Sequence, residues 1–293
     1  MAVKDWFYIS KLSGSSGTTI LTISASSNTL EEELSSVFSV STTNNNKNVF
    51  VKQEPLVRDY FTIEVISGNV NSHLYLSYTN EVIYSYSKNG GDWITHTSGS
   101  TGQTDFSQLN SGDIIKIKAV NIHNNYDRNN KMRQITFSSV NCKFKVKGYL
   151  TSLVYGDSFE NQTVLPNEIY SGTSGAFQYL FLNCTGLVDA SELILPDTLL
   201  IGMYYNTFKG CTSLTIAPEL TATTLVNRCY YYMFDGSTSL NYIKCLATDL
   251  SATDCLTGWT RDIAASGTFV KASGVTWPSG ASGIPTGWTV QEI

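Results

Sequence analysis

Apolar and polar residues alternate through much of the first half of the chain. Phe61-Thr62-Ile63-Glu64-Val65-Ile66, Ile114-Ile115-Lys116-Ile117-Lys118 and Phe144-Lys145-Val146 put every second side chain on one apolar face. That is the pattern of a strand with one wet side. Leu74-Tyr75-Leu76-Ser77-Tyr78, Ile83-Tyr84-Ser85-Tyr86 and Ile135-Thr136-Phe137 are further strand candidates. Together these runs predict a β-sandwich over residues 56–158. Within it, Ser87-Lys88-Asn89-Gly90-Gly91-Asp92-Trp93 sets Asn-Gly between β-formers, a hairpin signal. Residues 1–55 hold shorter β-rich runs at Trp6-Phe7-Tyr8-Ile9, Thr19–Ile23, Val37–Val40 and Val49–Val51. Gly14, Gly17 and the Asn44–Asn46 tract supply turns between them, which predicts a second, smaller sandwich.

Beyond residue 158 the pattern changes from alternation to repetition. Phe181-Leu182-Asn183-Cys184-Thr185-Gly186-Leu187 returns as Phe208-Lys209-Gly210-Cys211-Thr212-Ser213-Leu214 and again as Phe234-Asp235-Gly236-Ser237-Thr238-Ser239-Leu240, at spacings of 27 and 26 residues. A fixed period of this size predicts a solenoid, in which each unit buries its apolar face against its neighbours. The expected solenoid covers 159–258, and residues 259–293 are expected to cap its last rung. Within a unit, Leu214–Leu220 suits a short strand and turn. Cys229–Phe234 suits a helical turn with Cys229, Met233 and Phe234 facing inward. Phe177, Tyr204 and Tyr230 correspond between units, as do Glu192-Leu193 and Glu219-Leu220. Tyr204, Tyr205, Tyr230 and Tyr231 occupy matching positions and are the candidate contacts for a partner or glycan, since tyrosine offers contact area, a sugar-stacking face and a hydroxyl. The competing reading is that these rings only cover the convex side and stack on each other. Trp259 and Trp288 are expected to pack within the cap, and Trp6 within the first sandwich.

Composition narrows the function. The net charge is −5 with 15% charged residues, and no Lys/Arg run forms a basic face, so no nucleic-acid partner is expected. No stretch approaches the ~18 apolar residues of a membrane span, so no membrane insertion is expected. Met1–Trp6 opens without an apolar secretory segment. Six cysteines contain no CxxC pair. Cys184 and Cys211 share one repeat position and Cys229 and Cys255 another, as a ladder of small buried thiols would. His73, His96 and His123 are scattered, and no nucleophile elbow or suggestive carboxylate pair accompanies them. No catalytic, cofactor or metal site is expected, and the chain reads as a non-enzyme.

Three resemblances add to this. Trp6, Ile9-Ser10, Ser13-Gly14, Thr22, Phe38-Ser39-Val40-Ser41 and Val49-Phe50-Val51-Lys52-Gln53 resemble the BACON module, an immunoglobulin-like domain of gut Bacteroidetes proteins and their phages. A basic position usual there is replaced by the acidic Glu31-Glu32-Glu33. Ser87–Trp93 is similar to the Asp-box of sialidase propellers, but Asn89 stands for the Asp, the spacing to Trp93 is one short and only one copy exists, which argues against a propeller. The third is the most extensive. Phe208-x-x-Cys211-Thr212-Ser213-Leu214-Thr215-x-Ala217-Pro218-Glu219-Leu220-x-Ala222-Thr223-Thr224-Leu225, then Cys229-Tyr230-Tyr231-x-Met233-Phe234, resembles the BspA-like leucine-rich repeats of Bacteroidetes surface antigens. Asn241–Ala247, Trp259 and Gly283–Trp288 resemble that family's terminal cap. The resemblances imply a mainly β fold: an immunoglobulin-like domain over 1–55, a β-sandwich over 56–158, leucine-rich repeats over 159–258 and a cap over 259–293. They imply a non-catalytic fibre of a Bacteroidetes phage, a head or tail fibre on the virion surface. Its N-terminal domain would anchor to other virion proteins and its repeats would meet a host glycan or surface protein. Such fibres are commonly homo-oligomers, although no heptad pattern for a coiled coil is present. The alternative is a secreted adhesin on the bacterial surface.

Overall fold

Where the sequence alternates, the chain forms strands with one buried face. The computed structural model describes residues 7–15, 18–25, 34–42, 45–53, 59–78, 82–98, 102–120, 135–159, 162, 165 and 176–293. The described fold is mainly β, in several sheets, with one four-residue helix. It divides into two compact units, Met1–Arg58 and Asp59–Ile293.

The first unit contains β1 (Phe7–Ser15), β2 (Thr18–Ala25), β3 (Leu34–Thr42) and β4 (Asn45–Gln53). β1 pairs antiparallel with β2, with an irregularity between Ile9 and Lys11, and β3 pairs antiparallel with β4 from Leu34↔Gln53 to Thr42↔Asn45. Trp6 and Glu31–Glu33 lie outside the described residues.

The second unit begins with β5 (Phe61–Ser67), β6 (His73–Tyr78), β7 (Val82–Lys88), β8 (Ile94–Ser98), β9 (Gly102–Ser107), β10 (Ile114–Ala119), β11 (Ile135–Val140) and β12 (Lys143–Tyr149). A helix α1 (Ser152–Tyr155) follows, and then β13 (Leu187–Ile194). One sheet runs β13-β12-β5-β10-β7-β8 and a second runs β11-β6-β9. The two meet through Phe61 against Phe137, ring centroids 5.4 Å apart, and Tyr86 against Phe106 at 5.0 Å. The Asn89-Gly90 turn forms with both residues at positive φ (54° and 74°), as an Asn-Gly hairpin requires.

β12 pairs antiparallel with β5 but parallel with β13. From there the sheet continues in parallel through the bridge at Ile216 to β14 (Tyr242–Cys245), β15 (Thr268–Lys271) and β16 (Thr289–Glu292). The sheet therefore joins strands from both sides of residue 158/159, the position expected to separate the middle domain from the repeats. One apolar core also runs from Tyr60 to Trp288 without a break.

The expected helical turn in each repeat is replaced by a string of tight turns. Left-handed residues recur every fourth position: Gly202, Asn206, Gly210; Arg228, Tyr232, Gly236; Asp254, Gly258, Asp262. Alternate N–H groups close turns within the string, as Tyr231 N to Arg228 O (3.2 Å) and Met233 N to Tyr230 O (3.1 Å). The N–H groups between them donate to the next coil, as Tyr230 N to Cys255 O (3.0 Å) and Phe234 N to Trp259 O (2.9 Å). An α-helix would spend all of these donors internally. The turn string leaves half of them to bind the neighbouring coil, which satisfies the buried backbone and joins the repeats.

The period of four also decides what lies inside. Phe177–Tyr204–Tyr230–Trp259 stack in one buried ladder at 6.0, 6.0 and 6.1 Å. Phe137–Phe181–Phe208–Phe234 stack in another at 5.4, 5.3 and 5.5 Å, close to the ~4.8 Å between hydrogen-bonded strands. All six cysteines are free and buried. The Cys211 thiol donates to Phe181 O at 3.0 Å, and one repeat on the Ser237 hydroxyl donates to Phe208 O at 2.7 Å. The Cys and Ser at this position thus do the same job. Trp259 Nε1 donates to Gly283 O (2.9 Å) and Trp288 Nε1 to Ala264 O (2.8 Å), so both buried tryptophans have their polar atoms satisfied.

Candidate binding surface

The four tyrosines singled out by the repeat divide into two pairs. Tyr204 and Tyr230 are 0% and 1% exposed and belong to the inner ladder. Burial pushes both phenols well above their ordinary pKa. This corrects the expectation that they offer contact area: the four-residue period puts the first tyrosine of each pair beside its aligned Phe177, inside. Tyr205 and Tyr231 are half-buried at the outer face, stacked 5.1 Å apart with rings 5° from parallel. The expected ring-on-ring ladder is present at these two positions.

The strip is larger than those two rings. Tyr179 meets Tyr205 edge-on at 5.5 Å, and Tyr232 meets Tyr231 edge-on at 4.4 Å. A hydrogen bond with Tyr232 is the main cause that raises the Tyr231 pKa. Three cations border the rings. The Arg228 guanidinium lies 5.8 Å from the Tyr231 centroid, Arg261 lies 4.9 Å from that of Tyr232, and the Lys209 ammonium lies 5.3 Å from the same ring.

Those cations are fixed by carboxylates one repeat away. Lys209, Asp235 and Arg261 occupy a single repeat position, 26 residues apart each time. Asp235 is 3% exposed; Arg261 Nε and Nη2 donate to its two oxygens at 2.8 and 2.7 Å, and Lys209 Nζ lies 2.9 Å away. Burial works to raise the Asp235 pKa, but these hydrogen bonds outweigh it and hold the carboxyl below its usual range. Arg228 and Asp254 repeat the device, Nε to Oδ2 at 3.4 Å. Sequence reasoning passed over Tyr179, Tyr232, Lys209, Arg228 and Arg261. The available signal was charge of alternating sign at one repeat position.

No protein family, curated protein or solved structure matches this chain. The reading of the surface therefore rests on its own geometry. The sheet strands and their neighbours carry paired charges: Glu64 with Lys145 (3.5 Å) and Lys147 (2.8 Å), Lys145 with Glu192 (3.4 Å), Lys244 with Glu219 (2.9 Å), and Lys271 with Glu292. The pairs of Glu64, Lys145, Lys147, Glu192, Glu219 and Lys244 are part-exposed on both sides and contribute little to stability, about 0–1 kcal/mol each, whereas the Lys271 side chain is buried.

The remaining sequence candidates have local roles. His73 Nδ1 lies 2.9 Å from the Asp105 carboxylate and stacks on Tyr75, and His96 leans on Tyr84 at 5.0 Å. His123 lies outside the described residues. Trp93 of the hairpin packs edge-on against Tyr60 at 5.0 Å, with the Lys118 ammonium 4.2 Å over its ring. Among the described residues no group of three or more His, Cys, Asp and Glu converges as a metal site would.

Proposed function

We propose that this chain is a non-catalytic adhesion protein, a head or tail fibre on the virion surface of a phage infecting Bacteroidetes. In this reading residues 159–258 are BspA-like leucine-rich repeats wound as a solenoid and 259–293 are its cap. The immunoglobulin-like module over 1–55 anchors the chain to other virion proteins, the sandwich over 56–158 links it to the repeats, and the assembled fibre is a homo-oligomer. The repeats are held out to a host glycan or surface protein. The observation that carries the adhesive part is the half-exposed Tyr179–Tyr205–Tyr231–Tyr232 strip with its bordering Arg228, Arg261 and Lys209. Stacked rings held in place by the coil spacing lose little entropy on binding, and aromatic and Arg side chains dominate binding energy at such surfaces.

Two experiments test the reading. Immunogold electron microscopy on purified phage and on intact Bacteroidetes cells locates the protein. Label on virions supports the fibre, and label on cells alone replaces it with a bacterial surface adhesin. Binding of the purified chain to host cells tests the strip: Tyr231→Ala should weaken it by about 1.5–3 kcal/mol, roughly 10-fold to 150-fold. Unchanged binding by Tyr205→Ala and Tyr231→Ala together removes the strip from the function.

A further inference from the structure

The tyrosine strip carries backbone strain that its fold does not need. Among the described residues, those with positive φ that are neither Gly, Asn nor Asp are Gln108, Tyr179, Arg228 and Tyr232. All but Gln108 belong to the strip or its border. Tyr179, Asn206, Tyr232 and Gly258 share one repeat position, and all are left-handed (φ 62°, 54°, 50° and 61°). Gly202 and Arg228 share another. Glycine and asparagine therefore serve at these places, yet Tyr179, Tyr232 and Arg228 stand there at the steric cost of a Cβ. Strain kept where the fold accepts glycine is kept for the side chain.

The charges around Tyr232 are layered. Lys209 Nζ and Arg261 Nη2 both reach Asp235 Oδ2, at 2.9 and 2.7 Å, so two cations share one carboxylate oxygen. Asp235 is buried, while Lys209 is part-exposed and Arg261 half-exposed. The negative charge lies inside and two positive charges stand outside it, both against the Tyr232 ring. Arg261 commits Nε and Nη2 to Asp235, and its Nη1 has no partner among the described residues. Arg228 gives Asp254 only a long Nε contact of 3.4 Å, so both its Nη groups are free there. The other carboxylates nearby do not fill these positions. Asp254 accepts from Arg228 and from the Thr257 hydroxyl, and Asp262 is 78% exposed and 4.0 Å from Arg261 Nε.

We infer that this end of the strip seats an acidic sugar, its carboxylate or sulfate group against Arg261 and Lys209 and its ring across Tyr232 and Tyr231. Free guanidinium N–H groups bind oxyanions with charge-assisted, often paired hydrogen bonds. An anion there answers the two outer cations as Asp235 answers them from within. A neutral sugar leaves the cations on water, and a cationic ligand meets them directly. An extended peptide repeats its side chains on one face about every 6.8 Å, at ~3.4 Å per residue, out of step with rings 5.1 Å apart. An extended chain of pyranose rings advances by about one such step per sugar. The inference rests on the adhesion reading for its biological sense and names the ligand class of that surface.

The test is calorimetric titration of the full chain with matched probes. Sialyllactose and tri-galacturonate are compared with their methyl esters, and a carrageenan oligosaccharide with its desulfated form, so the arms separate carboxylate from sulfate. In at least one pair the acidic member should bind about ten-fold or more tighter at low salt and lose that lead as salt rises. Lys209→Gln leaves the Asp235–Arg261 pair in place and should bring the two members of that pair close to equal affinity. Arg261→Gln combined with Asp235→Asn, which strands no buried carboxylate, should do the same, and Lys209→Gln alone decides if the double variant unfolds. No binding of any acidic probe, equal binding within every pair, a preference that survives the variants, or tighter binding of a tetraglutamate peptide than of the acidic sugars overturns the inference. Loss of host-cell binding in Tyr231→Ala without any acidic preference removes this inference and leaves the adhesion reading. An acidic preference in a chain that does not bind host cells upholds the site and removes the adhesion reading.

Discussion

Phe208 sits at the centre of the buried phenylalanine ladder, and its replacement by alanine reads the strength of the coil stack. The side chain is 1% exposed and its ring lies 5.3 Å from Phe181 at 12° and 5.5 Å from Phe234 at 16°. Its backbone N–H donates to Met233 O at 2.8 Å, a bond that alanine keeps. A buried phenylalanine removes about 150–200 Å² from water, worth about 4–5 kcal/mol at ~25 cal/mol per Å². Alanine retains part of that, while the cavity between two fixed rings adds to the loss, so Phe208→Ala should cost about 4 kcal/mol. The internal control is Tyr205→Ala on the same coil. That ring is half-buried and loses only outer ring contacts, so about 1 kcal/mol is expected. Urea unfolding followed by tryptophan fluorescence and by far-ultraviolet circular dichroism gives both values. Agreement of the two probes checks that the array unfolds as one unit. A Phe208→Ala loss below about 2 kcal/mol, or one indistinguishable from that of Tyr205→Ala, would refute the claim that the inner ladder holds the coils together.

Gly258 lies at φ +61°, and a Cβ there would stand 2.1 Å from Cε1 of Tyr232. Gly258→Ala should therefore cost about 2 kcal/mol or more through left-handed strain and displacement of that ring, read as a lower urea midpoint. Burial pushes the Cys184, Cys229 and Cys245 thiols up to about 12 and Cys142 up to about 11. A disulfide reagent at mildly alkaline pH should find no fast thiol in the folded chain and all six after unfolding; one rapidly modified cysteine in the native protein contradicts the buried arrangement. Because the folded Asp235 pKa is depressed, its stabilising contribution is complete above the unfolded value of about 3.9 and is lost as pH falls through the lower folded value. The urea midpoint of the wild type should drop through that window more steeply than that of Asp235→Asn, and parallel curves would show that the clamp is silent.

What the sequence made legible was what its periods encode. Strict alternation at Ile114–Lys118 and Phe144–Val146 gave β10 and β12, with burial alternating as the residues do. The recurrence of Phe181, Phe208 and Phe234 marked the positions whose rings stack in one buried ladder. The turn strings were misread because residues at i and i+4 share a face in both a 3.6-residue helix and a four-residue turn. The difference appears only in which residues tolerate positive φ. Gly202, Asn206 and Gly210 show that spacing openly, but Arg228, Tyr232 and Gly236 hide it behind two bulky side chains. The burial of Tyr204 and Tyr230 was readable from their alignment with Phe177. The parallel pairing of β12 with β13 was not readable, because it joins segments about forty residues apart and no local pattern sets that register.

The inner and outer ladders are one mechanical system. Each coil contributes a ring to the phenylalanine stack, a ring to the Tyr204–Tyr230 stack and a ring to the exposed strip, and backbone bonds between coils set all three spacings together. Asp235 locks the same edge from within, since it holds Lys209 from the preceding coil and Arg261 from the following one. The exposed tyrosines therefore cannot slide apart to admit a ligand between them. They present a surface of fixed pitch, near 5 Å per ring, that a partner must meet as it stands. Under the proposed adhesive role, a surface of this kind would favour ligands that repeat or lie flat across several rings.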